Sequence, residues 1–150
     1  MSVTFAALSE RHLDAVWAIE QIAHSHPWKQ SMIYDLKSRG QLHSVMLVDE
    51  KVVGYFYAQN IVGEVSLLNI AIDPTQQGKG YGRALANYFI ELCEKANAES
   101  AWLEVRESNH RAISLYDDLG FHEIDRRINY YPTAKGSEDA LIMSYMFLPE

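Results

Sequence analysis

From Leu67 to Ile72 the sequence Leu-Leu-Asn-Ile-Ala-Ile is nearly continuously apolar, and it stops at Asp73-Pro74. A run of this kind reads as a strand covered on both faces, which calls for helices on both sides of a sheet. The glycine-rich stretch Gln76-Gln77-Gly78-Lys79-Gly80-Tyr81-Gly82 follows, and Tyr81, Leu85, Tyr88, Phe89, Leu92 and Ala96 then recur at helical spacing. No other feature constrains the fold as strongly as this strand, glycine loop and helix. Free N–H groups and the positive end of the helix dipole meet at such a loop, a place that attracts an anion, usually a phosphate. Glycine allows positive φ and close backbone approach, and Lys79 and Arg83 add positive charge at the mouth. Arg83 stands where the Rossmann dinucleotide pattern needs its third glycine, and the Gly-Lys-Ser/Thr ending of a Walker loop is missing.

Around this unit the chain alternates strands and helices. Val3–Leu8 reads as a strand, and a helix begins after Ser9 with Leu13, Val16, Trp17, Ile19 and Ala23 on its apolar side. Pro27 breaks it, and a second helix is predicted over Ser31–Arg39, capped by Gly40. Ser44–Val48 and Val52–Ile61 form a predicted hairpin about Asp49-Glu50-Lys51, and Glu64–Ile72 is the next strand. Beyond the long helix come a strand at Ala101–Val105 and a helix capped by Ser108-Asn109, with Ala112, Ile113, Tyr116 and Leu119 inside and Gly120 at its end. Two further strands are expected, Phe121–Tyr131 and Ala140–Leu148, joined by the polar segment Pro132–Asp139. This order implies a mixed α/β or α+β sandwich.

At 150 residues the length suits a single domain spanning 1–150, one that can bury roughly 70% of its unfolded surface without disulfides. The net charge of −7 argues against binding nucleic acid by broad phosphate neutralisation and favours a basic partner. Cys93 has no partner cysteine, which points to a reducing compartment and hence the cytoplasm. There is no signal-peptide pattern and no apolar run near the ~20 residues that span a bilayer.

Two residues carry candidate chemistry. Glu104 lies inside the apolar strand Ala101-Trp102-Leu103-Glu104-Val105, where a carboxylate must be paired, hydrogen-bonded or shifted in pKa. It suits a general base or, equally, an ion pair with Arg106 on the same face. Tyr116 by spacing alone is a core residue, and Asn109 a helix cap. His24 and His26, without a cysteine pair, do not compose a metal site, and Cys93 reads as buried packing.

Taken together, Asn69-Ile70-Ala71-Ile72-Asp73-Pro74, Gln77-x-x-Gly80-x-Gly82, Asn109 and Ala112-Ile113-x-Leu115-Tyr116-x-x-Leu119-Gly120-Phe121 resemble the GNAT superfamily of acetyl-CoA-dependent N-acetyltransferases. The resemblance implies a mostly antiparallel twisted central sheet with helices on both faces. It places the pyrophosphate of coenzyme A on Gly78, Lys79, Gly80, Tyr81, Gly82 and Arg83, and the pantetheine arm along a splayed strand at Ile70, Ala71 and Ile72. A closer resemblance is to the RimI family, which acetylates the N-terminal alanine of a small-subunit ribosomal protein (number eighteen). It rests on Trp102-Leu103-Glu104-Val105-Arg106-x-Ser108-Asn109, on Arg127-x-Asn129-Tyr130-Tyr131-Pro132-Thr133-Ala134-x-Gly136-x-Glu138-Asp139-Ala140, and on Ala23-His24 with Pro27-Trp28. By that resemblance Glu104 is the base, Tyr116 the acid and Asn109 a cofactor contact, while Trp28, Tyr130 and Tyr131 flank the peptide groove. Acetyl-CoA is then the cosubstrate with no metal, and the partner is a basic ribosomal-protein N-terminus. The chain departs from the family at His26, where phenylalanine is common, and at Gly78-Lys79, where two basic residues are common. A lysine-directed or small-amine acetyltransferase and a non-catalytic acetyl-CoA-binding module are the alternatives.

Overall fold

The computed structural model describes residues 2–148. Its strands are β1 (Val3–Ala7), β2 (Ser44–Val48), β3 (Lys51–Ile61), β4 (Glu64–Ile72), β5 (Ser100–Arg106), β6 (His122–Thr133) and β7 (Gly136–Met146). Its helices are α1 (Leu13–Ala23), α2 (Gln30–Ile33), α3 (Tyr81–Lys95) and α4 (His110–Leu119). The strands form one sheet in the order β1-β2-β3-β4-β5-β7-β6. Neighbours run antiparallel except β4 and β5, which are parallel.

Helices α1 and α3 cover opposite faces of β3 and β4, as the apolar run at Leu67–Ile72 implies. Each face has its own core. Phe56, Val65, Leu85, Phe89 and Leu103 belong to the α3 side, and Leu13, Val16, Ile19, Tyr55 and Tyr57 to the α1 side.

The site is placed by an irregularity in β4. Tyr57 pairs with Asn69 and Ala58 with Leu67, so Leu68 is an extra, bulged residue. Before it Val65 and Leu67 face the α3 core, and after it Ile70 and Ile72 do. The bulge therefore turns Asn69 and Ala71 towards α1. Pairing of β4 with β5 also ends there, at Leu67 opposite Leu103. Beyond that point the two strands diverge, and the β5-facing backbone groups of Leu68–Ile72 have no strand partner.

Several elements differ from the sequence-based expectation. The second helix is only Gln30–Ile33, because the Tyr57 hydroxyl donates to the Ile33 carbonyl at 2.8 Å and side chains of Gln41 and Gln59 take up those of Leu36 and Arg39. Gly40, at φ +73, serves instead in a turn pressed against the Asn60 backbone. The long helix stops at Lys95, which leaves Ala96 exposed. The polar segment 132–139 is mostly strand: Tyr131, Pro132 and Thr133 pair with Glu138, Ser137 and Gly136, leaving only a tight turn between. Strand β6 is the sheet edge and exposed along nearly its whole length, so it shows no alternation to read and tolerates Pro132.

Candidate active site

Two cavities open where β4 and β5 part. The larger, about 730 Å³, runs from Ile70, Ala71 and Ile72 past Gly78, Gly80, Tyr81, Gly82 and Arg83 to Asn109. Gly78 and Gly80 sit at φ +81 and +80, and a Cβ at either would meet no protein atom within 4 Å. The loop thus leaves an open cradle in front of the N-terminus of α3, whose first N–H groups have no intrahelical acceptor. A diphosphate fits this donor set. The expected residues Gly78, Gly80, Tyr81, Gly82, Arg83, Asn109 and Ile70–Ile72 are brought together here, whereas Lys79 is not. Its Nζ donates to Gln76 Oε1 at 2.9 Å and lies outside the lining. Arg83 pairs with Asp118 at 2.9 Å across the cleft mouth. Sequence reading missed Arg111, Ser114, Leu115 and Asp118. Their three- and four-residue spacing on α4 could have marked them as one face.

The smaller cavity, about 270 Å³, is lined by residues that include Glu20, Trp28, Leu68, Asn69, Glu104, Asn109, Tyr116 and Tyr131. Glu104 stands on the splayed part of β5, its side chain 32% exposed. Its Oε1 is 3.1 Å from Arg127 Nε of β6, so the ion pair exists but not with the expected Arg106. Arg106 instead lies 4.3 Å over the Tyr131 ring, reaches Glu138 at 3.7 Å and donates to the Pro132 carbonyl and His26 Nδ1. Glu138 is itself fixed by the Ser108 hydroxyl and N–H, which hold its carboxyl below the usual range. This cluster ties the end of the β6–β7 hairpin to the entrance of α4.

Tyr116, 6% exposed, lines both cavities. Burial pushes its hydroxyl up to about 12, so it is protonated at neutral pH. Asn109 caps α4 by accepting the Ala112 N–H and lines both cavities as well. Trp28 and Tyr131 form aromatic walls of the smaller cavity, but Tyr130 does not. It is half exposed on the rim, edge-on to Tyr131 with ring centroids 5.1 Å apart and beneath Arg127.

Glu20 was not anticipated. It is fully buried on α1, where it falls on the same helix face as Val16 and Ala23, and a charged residue in that stripe was the available signal. Its carboxylate accepts from the Tyr55 hydroxyl at 2.6 Å, Asn69 Nδ2 at 2.8 Å and the Trp28 N–H at 2.9 Å. Burial and the adjacent Glu20 push the Tyr55 hydroxyl far above its ordinary value, so it remains a donor. Among the described residues no group of three or more His, Cys, Asp and Glu is placed to hold a metal, and no helix is long and apolar enough to cross a membrane.

The sheet with one parallel pair, splayed beside a glycine-loop helix, defines an acyl-CoA-dependent transferase fold. The Acetyltransferase (GNAT) family profile matches residues 13–121, and the chain belongs to that family. It is 41% identical over 141 residues to the [ribosomal protein bS18]-alanine N-acetyltransferase of Salmonella typhimurium, covering 94% of this chain and 95% of the relative. The Escherichia coli K12 enzyme of the same name is 40% identical over the same span. The crystal structure of the ribosomal-protein-S18-alanine N-acetyltransferase from Escherichia coli superposes with a TM-score of 0.94 at 38% identity, covering 99% of this chain and 96% of that one.

Proposed function

We propose that this chain transfers the acetyl group of acetyl-CoA to the N-terminal alanine amine of ribosomal protein bS18, in the cytoplasm and as one catalytic domain. The observation that carries this reading is the meeting of the two cavities at Ile70, Asn109 and Tyr116, with Glu104 on the acceptor side and the glycine cradle on the other. The relatives' shared name supports the choice of substrate.

Gly78, Gly80 and the N-terminal N–H groups of α3 would hold the diphosphate, and Ile70–Ile72 would pair with the extended arm through their unpartnered backbone. When bound, acetyl-CoA supplies a thioester carbonyl as the acetyl donor. Backbone N–H groups of the splayed strand would polarise that carbonyl. Glu104 takes the proton from the attacking amine, directly or through water, and the chain's net charge of −7 favours a basic segment behind that amine. Tyr116, which lines both cavities, would face the leaving sulfur. A phenol near 12 gives its proton uphill to a thiolate whose ordinary pKa is about 8.5, a cost on the order of 5 kcal/mol, so its first contribution is a hydrogen bond, with the proton following.

An α-amine, with a pKa near 7.7–8.0, is roughly a tenth neutral at pH 7, whereas a lysine amine near 10.4 is neutral to well under 0.1%. A single carboxylate base in a partly solvated setting suits the former. Trp28 and Tyr131 restrict the first side chain to a small one. The test is mass spectrometry after incubation with acetyl-CoA and a peptide that begins with Ala followed by basic residues. The free-N-terminus peptide should be acetylated, and the same peptide with a blocked N-terminus and a free lysine should react far more slowly. Equal rates would favour a lysine-directed enzyme, and binding without any product would favour a cofactor-binding module.

A further inference from the structure

One network that runs from the buried Glu20 to the partly exposed His24 in the acceptor cavity has no part in the steps above. Glu20 Oε1 accepts from Asn69 Nδ2 at 2.8 Å, and Asn69 Oδ1 lies 2.9 Å from His24 Nε2. The orientation of the Asn69 amide follows from its neighbours, because the opposite one would set an amide oxygen against a carboxylate oxygen. With Oδ1 facing His24, Nε2 must carry the hydrogen. The neutral ring is therefore the Nε2–H tautomer, and Nδ1 keeps its lone pair. Among the described residues no protein group engages Nδ1. His24 lines both cavities and so stands at the junction where the acetyl group crosses.

A neutral primary amine has two N–H bonds and one lone pair. A single acceptor such as Glu104 fixes one N–H and leaves the amine free to rotate. A second acceptor selects the rotamer whose lone pair points at the carbonyl carbon. We propose that His24 Nδ1 is this second acceptor, with Asn69 and Glu20 as positioning residues that hold its tautomer. The proposal rests on the acetyltransferase reading above and adds no proton transfer, since the proton still leaves to Glu104.

Glutamine at position 24 places an N–H where Nε2 stands and removes the Nδ1 acceptor. His24→Gln should lower kcat on the free-N-terminus peptide about 10- to 100-fold, the scale of lost orientation, while the acetyl-CoA dissociation constant stays within about twofold. In wild-type protein the nitrogen-15 spectrum of His24 should show a protonated Nε2 and an unprotonated Nδ1, and Asn69→Ala should mix the two tautomers. Full kcat in His24→Gln, or a wild-type ring protonated on Nδ1, alone or together with Nε2, would overturn the proposal. The wild-type comparison of free and blocked peptides separates these outcomes from failure of the underlying reading. If wild type acetylates only the lysine amine, the N-terminal assignment falls, whatever the His24 variant does.

Discussion

The two cavities that meet at Tyr116 are built in opposite ways. The larger one is centred on a single run of the chain, from Ile70 to Arg83, closed by one face of α4, and its anion-binding chemistry belongs to the backbone: two left-handed glycines, the first turn of α3 and the unpaired edge of β4. The smaller one gathers side chains from α1, the loop after it, β4, β5, α4 and β6. A backbone site can accept many side chains without losing its ligand, provided the glycines stay. A side-chain site depends on each residue and on the packing that aims it. In the proposed reaction the donor side would therefore tolerate side-chain change, and the acceptor side would depend on each residue it gathers.

Substitutions on the two sides should therefore separate catalysis, cofactor affinity and peptide affinity. The largest effect is expected at the proposed base. Glu104→Gln should reduce kcat by about 10²–10⁴ while calorimetry finds acetyl-CoA affinity unchanged. A parallel loss of affinity would mean that the two sides cannot be treated as separate. Next is Gly80→Val. A β-branched residue at φ +80 is strained, and its side chain fills the cradle, so the acetyl-CoA dissociation constant should rise about 10- to 100-fold. At saturating acetyl-CoA, kcat should recover; if it does not, the loop also shapes the acceptor side. A smaller change is expected from Trp28→Ala, which removes one aromatic wall. KM for the peptide should rise about tenfold, and a larger first residue should become a better substrate than before, as read by paired peptide assays.

The smallest expected effect is on stability. His43 Nδ1 accepts the Ala58 N–H at 3.1 Å, and its ring packs 4.5 Å from Tyr57, which in turn meets Trp28 edge-on. Burial lowers the His43 pKa below its ordinary value, with Asp35 opposing weakly, so the native ring is neutral. The unfolded chain binds a proton there first. The stability this residue contributes is present above its unfolded pKa, near 6.5, and is lost as the pH falls below that. Urea midpoints should decline from pH 7 to pH 5.5, and the decline should shrink in His43→Gln.

The same contrast decides what could be read from the sequence. The strand from Glu64 to Ile72, the glycine loop and the start and buried stripe of α3 were legible because local pattern specifies them. Asn109 and Gly120 marked the ends of α4 for the same reason. The acceptor side was legible only through resemblance. Its ion pair joins Glu104 to Arg127, on strands separated by β7, and no spacing rule connects them. The C-terminal hairpin was misbounded because its outer strand is exposed along most of its length, and the short α2 because a distant tyrosine captures its last carbonyl. Glu20 was visible only as a charge on an apolar helix face.

The bulge at Leu68 has a consequence for how this chain can vary. A strand assigns its residues to two faces by odd and even count, and Leu68 is where the count changes parity. Replacing any side chain between Val65 and Ile72 leaves the parity intact. Removing Leu68 would close the bulge into regular pairing, Tyr57 with Asn69 and Ala58 with Leu67, and would keep Asn69 and Ala71 towards α1 and Ile70 and Ile72 towards α3. What it would take away is the break in the strand at the point where pairing with β5 ends. Along this stretch the extra residue matters for the break it makes, not for its side chain.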